Sequence, residues 1–280
     1  MIVVTGATGN VGRPLVAGLV EAGAEVTAVS RNAPDVVPRG ARHVRADLAD
    51  AGSLVEALDG AKAFYLLVAG AGAHLDGKAI VAAARAAGVR RIVLQSSQAA
   101  GTRPDAPSHA PLRALEDVVK DSGMDWTILR PGGFASNAYA WLPSIRAERA
   151  AYAPYASVAL PMVDPDDIAA VAAAALLDGR HAGQTYVLTG PEATTPPQRA
   201  AAIGEAIGAP VRFVEQTPEE ARAQMLRFMP APVADGTLEI LGRPTPQERA
   251  VSPDVERVLG REPGSFAHWA RRNAGLYSAT

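Results

Sequence analysis

Gly6, Gly9 and Gly12 follow the apolar run Ile2-Val3-Val4-Thr5 and open a helical pattern. In such a strand–turn–helix each glycine has a task. The first permits a tight turn, the second lets the backbone approach a ligand, and the third lets the helix pack on the strand. A helix N-terminus also offers unpaired N–H groups and the positive end of a dipole. Gly6, Thr8, Gly9, Asn10, Val11 and Gly12 therefore read as a cradle for a pyrophosphate. The alternative is an ordinary strand–helix turn, against which the repeated strand–helix units downstream argue.

The second chemical signal lies at the end of the next strand. Folds that bind NAD place an acidic residue about 20 positions on, where it holds the ribose 2′-hydroxyl. Here that place carries Ser30-Arg31-Asn32, with no carboxylate. Arg31 suits a 2′-phosphate, as a charge-assisted bidentate contact. The expected cofactor is therefore NADP(H) rather than NAD(H). Asp47, after the third strand, is placed to meet an adenine or to cap the helix that follows it.

These residues need a scaffold that gathers strand ends. Apolar runs predict strands at Ile2–Thr5, Glu25–Ser30, Ala41–Ala46, Ala63–Val68, Arg91–Gln95, Asp125–Leu129 and Gln184–Leu188. Helical patterns lie between them, over Val11–Ala22, Asp50–Leu58, Leu75–Ala87, Pro111–Ser122 and Pro165–Leu177. Such alternation predicts an α/β protein, a Rossmann-type doubly wound parallel sheet with helices on both faces. Residues 1–190 form the expected nucleotide-binding core, with 133–162 contributing to a substrate lobe. Prolines punctuate the chain from Pro191 to Pro263, and residues 191–280 read as a small, mostly helical C-terminal lobe of the same compact unit. It is expected over the carboxyl edge of the sheet, where open α/β sheets bind ligands.

Composition narrows the functions. A net charge of −2 gives no basic excess for a nucleic acid. The absence of cysteine excludes disulfides and thiolate chemistry. The longest apolar stretch, Ile168 to Leu177, is too short to span a bilayer. With a strand predicted from Ile2 no secretory leader is expected, and a cytoplasmic protein is. The histidines show no metal-ligand spacing, so no metal is expected.

TGATGNVG at 5–12, Ser30-Arg31-Asn32, Ala46-Asp47-Leu48, Ser96-Ser97 and the run from Thr127 to Asn137 resemble the NmrA-like atypical short-chain dehydrogenases. So do Asp167-Ile168-Ala169 and Phe266-Ala267-His268-Trp269-Ala270-Arg271, and the resemblance covers nearly the whole chain. It implies that the glycine turn holds phosphates, Arg31 a 2′-phosphate, and Asp47 with Leu48 the adenine. It further implies that Leu67, Val68, Ala69, Ser96 and Ser97 border the nicotinamide ribose. Pro131, Gly132 and Phe134 would then lie near the nicotinamide. The family includes NADPH-dependent quinone reductases and silent NADP sensors.

Classical members of the superfamily use a Tyr-x-x-x-Lys pair, in which lysine lowers the phenol pKa for acid catalysis. None of the six tyrosines here has a lysine four residues later. Glu116 resembles the family's glutamate in its place on the helix, and counted back from it the resemblance puts the pair's places on Ser108 and Leu112. Reduction of a simple ketone makes a basic alkoxide that needs an acid, whereas a quinone or extended enone gives a delocalised, weakly basic anion. The absent pair therefore points to reduction of a quinone or conjugated carbonyl compound, or to a non-catalytic redox sensor. His109, beside the lost tyrosine place, is the candidate acid. Tyr139, Trp141, Tyr152 and Tyr155, with Phe228 from the lobe, would form an aromatic wall for a flat acceptor or simply pack lobe against sheet. A small aromatic or quinone-like substrate is the expected partner, with a homodimer or a regulatory protein as further partners.

Overall fold

The structure is a computed structural model that describes residues 1–32, 38–68, 72 and 74–278. Its strands are β1 (Ile2–Thr5), β2 (Val26–Ser30), β3 (Ala41–Arg45), β4 (Ala63–Leu67), β5 (Arg91–Gln95), β6 (Asp125–Pro131), β7 (Ala150–Ala153), β8 (Leu160–Pro161), β9 (Gln184–Leu188), β10 (Ala193–Thr194) and β11 (Arg212–Glu215). Among the described residues, seven of them form a parallel sheet in the order β3-β2-β1-β4-β5-β6-β9. The order reverses between β1 and β4, and such a switch point opens a crevice at the carboxyl ends of the strands.

Burial explains the strand assignments. Ile2–Thr5 and Val26–Ser30 are buried throughout, as strands covered on both faces must be. Two apolar clusters lie on opposite sides of the sheet. One packs helices Gly12–Glu21 and Pro165–Leu177 through Leu15, Leu19, Ile168 and Val171; the other packs Gly77–Ala86 and Ala110–Lys120 through Ile80, Leu115 and Val119. Leu15 and Leu19 are fully buried. Each contributes about 1.5–3 kcal/mol by leaving water.

Several expected boundaries move. β6 runs to Pro131 rather than Leu129, because Arg130 and Pro131 stay in register with Val187 and Leu188 of β9. The helix expected over Asp50–Leu58 splits into a 3₁₀ turn, Ala51–Leu54, and one α-turn, Val55–Leu58. The stretch after Ser96-Ser97, for which the sequence predicts no helix, contains one at Gln98–Thr102. Ser97 caps that helix by accepting from the Ala99 amide.

The C-terminal region is helical with two small strand pairs added: β11 lies parallel to β7, and β10 antiparallel to β8. Its core centres on Trp269, whose ring lies 5.2 Å from Tyr139 and 5.3 Å from Phe266. Not all of 191–280 belongs to this lobe. Helix Asp254–Leu259 lies on the sheet core, where Val255 is fully buried and the Asp254 carboxylate accepts from the Val187 amide. Ion pairs also tie the chain's end to helix Pro165–Leu177: Arg272 reaches Asp164 at 2.8 Å, and Arg261 reaches the buried Asp167 at 2.7 Å. Among the described residues no helix is long and apolar enough to cross a membrane.

Candidate functional site

One cavity of about 960 Å³ follows the carboxyl ends of β1 to β6 and passes under the lobe. Gly6, Thr8, Gly9, Asn10, Val11, Arg31, Asp47, Leu48, Leu67, Val68, Ser96, Ser97, Pro131, Gly132 and Phe134 all line it. So does His109. Gly12 lies behind the turn, and Ala69 lies outside the described residues.

The turn is built for its task. Gly6 has φ +64°, a left-handed conformation that favours glycine. A Cβ on Gly12 would stand 2.1 Å from the Gly6 carbonyl oxygen. Among the described residues the amides of Thr8, Asn10 and Val11 donate to no backbone acceptor, whereas the Gly9 amide is used within the turn, donating to the Gly6 carbonyl at 3.0 Å. Three free amides at the start of helix Gly12–Glu21 fit an oxyanion, and that fit rests on geometry alone. Arg31, exposed at the end of β2, makes no ion pair among the described residues. Asp47 does not cap the helix that follows it. Its Oδ1 accepts from the Ala49 amide at 3.0 Å, while the residue faces the cavity. The helix turn itself is capped by Asp50 instead.

Beneath the cavity floor, Glu116 is fully buried and accepts from Ser96 Oγ at 2.6 Å and Arg130 Nε at 2.9 Å. Burial pushes its carboxyl pKa up, but the hydrogen bonds from Arg130 and Ser96, with the charges of Arg130 and Lys120, outweigh this and hold it below the usual value. Glu116 thus fixes the Ser96 hydroxyl at the end of β5. On the next strand, the Tyr65 phenol donates to the Gln95 carboxamide oxygen. Burial keeps that phenol protonated far above the usual range.

Ser108 and Leu112 occupy the places that the resemblance gives to a Tyr-Lys pair. Leu112 packs with the second sheet cluster, and Ser108 Oγ lies 2.9 Å from His109 Nδ1. That contact leaves His109 Nε2 for a ligand. Burial lowers the imidazole pKa most; Glu248 raises it in part and Arg103 lowers it further, so His109 is neutral at neutral pH.

The aromatic wall does not form. None of Tyr139, Trp141, Tyr152, Tyr155 and Phe228 lines the cavity. Tyr139 and Trp141 belong to the lobe core, where the Trp141 indole donates to the Tyr152 carbonyl. The Tyr139 hydroxyl donates to Asn273 at 2.8 Å. The Tyr152 hydroxyl donates to Glu148 near the surface, and Tyr155 packs against Gly242. Phe228 is 70% exposed. For Tyr139 and Trp141 the spacing reflects lobe packing, the other reading of these residues, whereas Phe228 packs in neither way.

The cavity's lobe end comes instead from Leu160, Met162, Val233, Thr237, Ile240 and Leu241. Glu248 completes it, and the sequence does advertise that residue: Thr245-Pro-Gln-Glu248 is a capping box at a helix start. Its second role shows only in three dimensions, where Arg103 grips Glu248 with two hydrogen bonds of 2.9 and 3.0 Å. Among the described residues no group of His, Asp and Glu is arranged to hold a metal.

A parallel sheet in this order, with an anion-ready turn at its switch point, defines a Rossmann-type nucleotide-binding fold. The chain belongs to the NmrA-like family, whose model matches residues 1–242. It is 36% identical over 283 residues to a (4-alkanoyl-5-oxo-2,5-dihydrofuran-3-yl)methyl phosphate reductase from Streptomyces griseus, covering 99% of each chain. It is 33% identical over 287 residues to an NAD(P)H azoreductase from Xenophilus azovorans, covering 100% of both. An NADPH-dependent quinone oxidoreductase from Escherichia coli, solved with NADPH, shares the fold with a TM-score of 0.81 at 24% identity, covering 97% of this chain and 99% of that one.

Proposed function

We propose that this protein is an NADPH-dependent oxidoreductase that reduces a quinone or conjugated carbonyl compound. The observation that carries the reading is the single cavity, continuous from Arg31 past the free amides of the glycine turn to the lobe. Two relatives of full length support it, one named for reduction of an alkanoyl-substituted oxo-dihydrofuran and one for NAD(P)H-linked azo reduction. When bound, NADPH supplies the hydride equivalent.

The chain's own residues do the rest. Thr8, Asn10 and Val11 hold the pyrophosphate through their amides. Arg31 pairs with the 2′-phosphate, and the free carboxylate oxygen of Asp47 faces the adenine. Ser96, fixed by Glu116, and Gln95, fixed by Tyr65, present polar groups at the end of β5. The lobe excludes water from the reacting centre and positions the acceptor, which supplies most of the rate.

Replacing Arg31 by alanine is expected to weaken NADPH binding about 10- to 100-fold, through loss of a charge-assisted contact, and to leave NADH binding within about threefold. Titration of tryptophan fluorescence with each cofactor reads the difference; equal losses for both would remove Arg31 from the 2′-phosphate site.

His109 is neutral at neutral pH, so it helps as an acid only as the pH falls toward its lowered pKa. Turnover of an enone is expected to rise on acidification in the wild type. In His109→Ala that limb should vanish, with about 100-fold slower enone reduction. Quinone reduction, which needs less acid, should slow less than about tenfold. A flat pH profile in the wild type would exclude His109 as the acid.

A further inference from the structure

The two ends of the cavity differ in charge. At one end stands Arg31, which makes no ion pair among the described residues. At the lobe end the wall is apolar, built by Leu160, Met162, Val233, Ile240 and Leu241. Thr237, Ser108 and the neutral His109 interrupt it. Among the described residues Arg31 is the one arginine or lysine lining the cavity. Residues 33–37, 69–71, 73 and 279–280 contain no lysine or arginine either, by sequence.

Arg31 is out of reach of the lobe end. It follows β2, whereas His109 follows β5, and β1 and β4 lie between them in the sheet. Three strand spacings put the two strand ends about 14 Å apart. Arg103 is the guanidinium packed behind the lobe end, and it is already spent. It grips Glu248 with two hydrogen bonds and the Arg243 carbonyl with a third. Glu248, 2% exposed, is the ionised group that lines this end, and its charge is matched by that pair.

A phosphate or carboxylate entering here would meet no arginine or lysine, and at neutral pH His109 carries no charge to offer it. An anion buried without a partner is strongly disfavoured. We propose that the acceptor enters the lobe end of the cavity uncharged, and that a compound carrying an anionic group at that end is refused. This sets the chain apart from its Streptomyces griseus relative, whose named substrate carries a methyl phosphate. The inference rests on the reductase reading for the acceptor's ring, and on the cavity alone for its charge.

The test is binding to the NADP⁺-loaded protein, so that the Arg31 end is filled. Isothermal calorimetry compares 2-hydroxymethyl-1,4-naphthoquinone with its phosphate monoester. The neutral quinone is expected to bind at least about 100-fold more tightly. Thr237→Arg, which places a guanidinium in this wall, should narrow that ratio at least about tenfold by improving the phosphate ester. Equal or tighter binding of the ester to the wild type would overturn the proposal, as would failure of both compounds to bind. Turnover of the neutral quinone by the NADPH-loaded protein is measured separately. Binding preference without turnover would retain the proposal about charge and remove the reductase reading.

Discussion

Replacing Gly12 by alanine is expected to reduce NADPH affinity at least about 100-fold. The added Cβ would stand 2.1 Å from the Gly6 carbonyl oxygen and 2.7 Å from the Ala7 Cα. Both are backbone atoms, so no side chain can swing aside. The turn or the start of helix Gly12–Glu21 must shift instead, and the free amides of Thr8, Asn10 and Val11 shift with it. Each charge-assisted hydrogen bond lost from a pyrophosphate costs about 1.5–3 kcal/mol, so losing two gives the stated factor. Overpacking should also lower stability by about 1–3 kcal/mol. Gly18 of the same helix is the control, since nothing lies within 4 Å of its added Cβ. Gly18→Ala should stabilise the helix by about 0.5–1 kcal/mol and leave cofactor affinity unchanged. Calorimetric titration with NADPH and denaturant unfolding separate the two effects. Unchanged affinity in Gly12→Ala would contradict the role given to the turn.

Glu116→Ala is expected to destabilise the protein by about 3–5 kcal/mol, because it leaves the Arg130 guanidinium without its counter-ion. Arg130 is 17% exposed at its side chain and Glu116 is 0% exposed, so water screens the pair poorly. The same change frees the Ser96 hydroxyl. Glu116→Gln keeps a carbonyl oxygen for Ser96 and should cost less. The pH dependence has a definite sign. A carboxyl whose folded pKa lies below its ordinary 4.5 contributes stability fully above that value and loses it as the pH falls through the folded pKa. Below about pH 4.5 the wild type should therefore lose an increment of stability that Glu116→Gln lacks. Urea unfolding at a series of pH values reads this. Parallel pH profiles for the two proteins would mean that the Glu116 charge stabilises nothing.

The sheet was legible because its central strands β1, β2, β4 and β5 are buried on both faces and its helices carry glycine stops. Ile2–Thr5, Arg91–Gln95, Gln184–Leu188 and Pro165–Leu177 match their expected bounds. The glycine turn was equally readable, since its three glycines answer to backbone geometry that a linear sequence displays. The lobe end was not. Val233, Thr237, Ile240 and Leu241 reach the cavity only because helix Ala231–Gly242 folds back so that Gly236 lies against Ser108, and no local pattern announces that. The aromatic residues misled for a related reason. Large rings near a strand end suit either a ligand wall or a lobe core, and Trp269, distant in sequence, draws Tyr139 into the core. The sequence predicts no helix over Gln98–Thr102 because five residues rich in alanine and glycine carry no periodicity.

The central claim is that the cavity couples NADPH oxidation to reduction of an uncharged conjugated acceptor. Its most direct test follows NADPH and 2-hydroxymethyl-1,4-naphthoquinone together, anaerobically, with the purified protein. The two should disappear in equal amounts, at a rate proportional to protein, and NADH should serve poorly. Tight NADPH binding with no consumption above the protein-free background, across quinones and enones, would contradict it and favour a redox sensor.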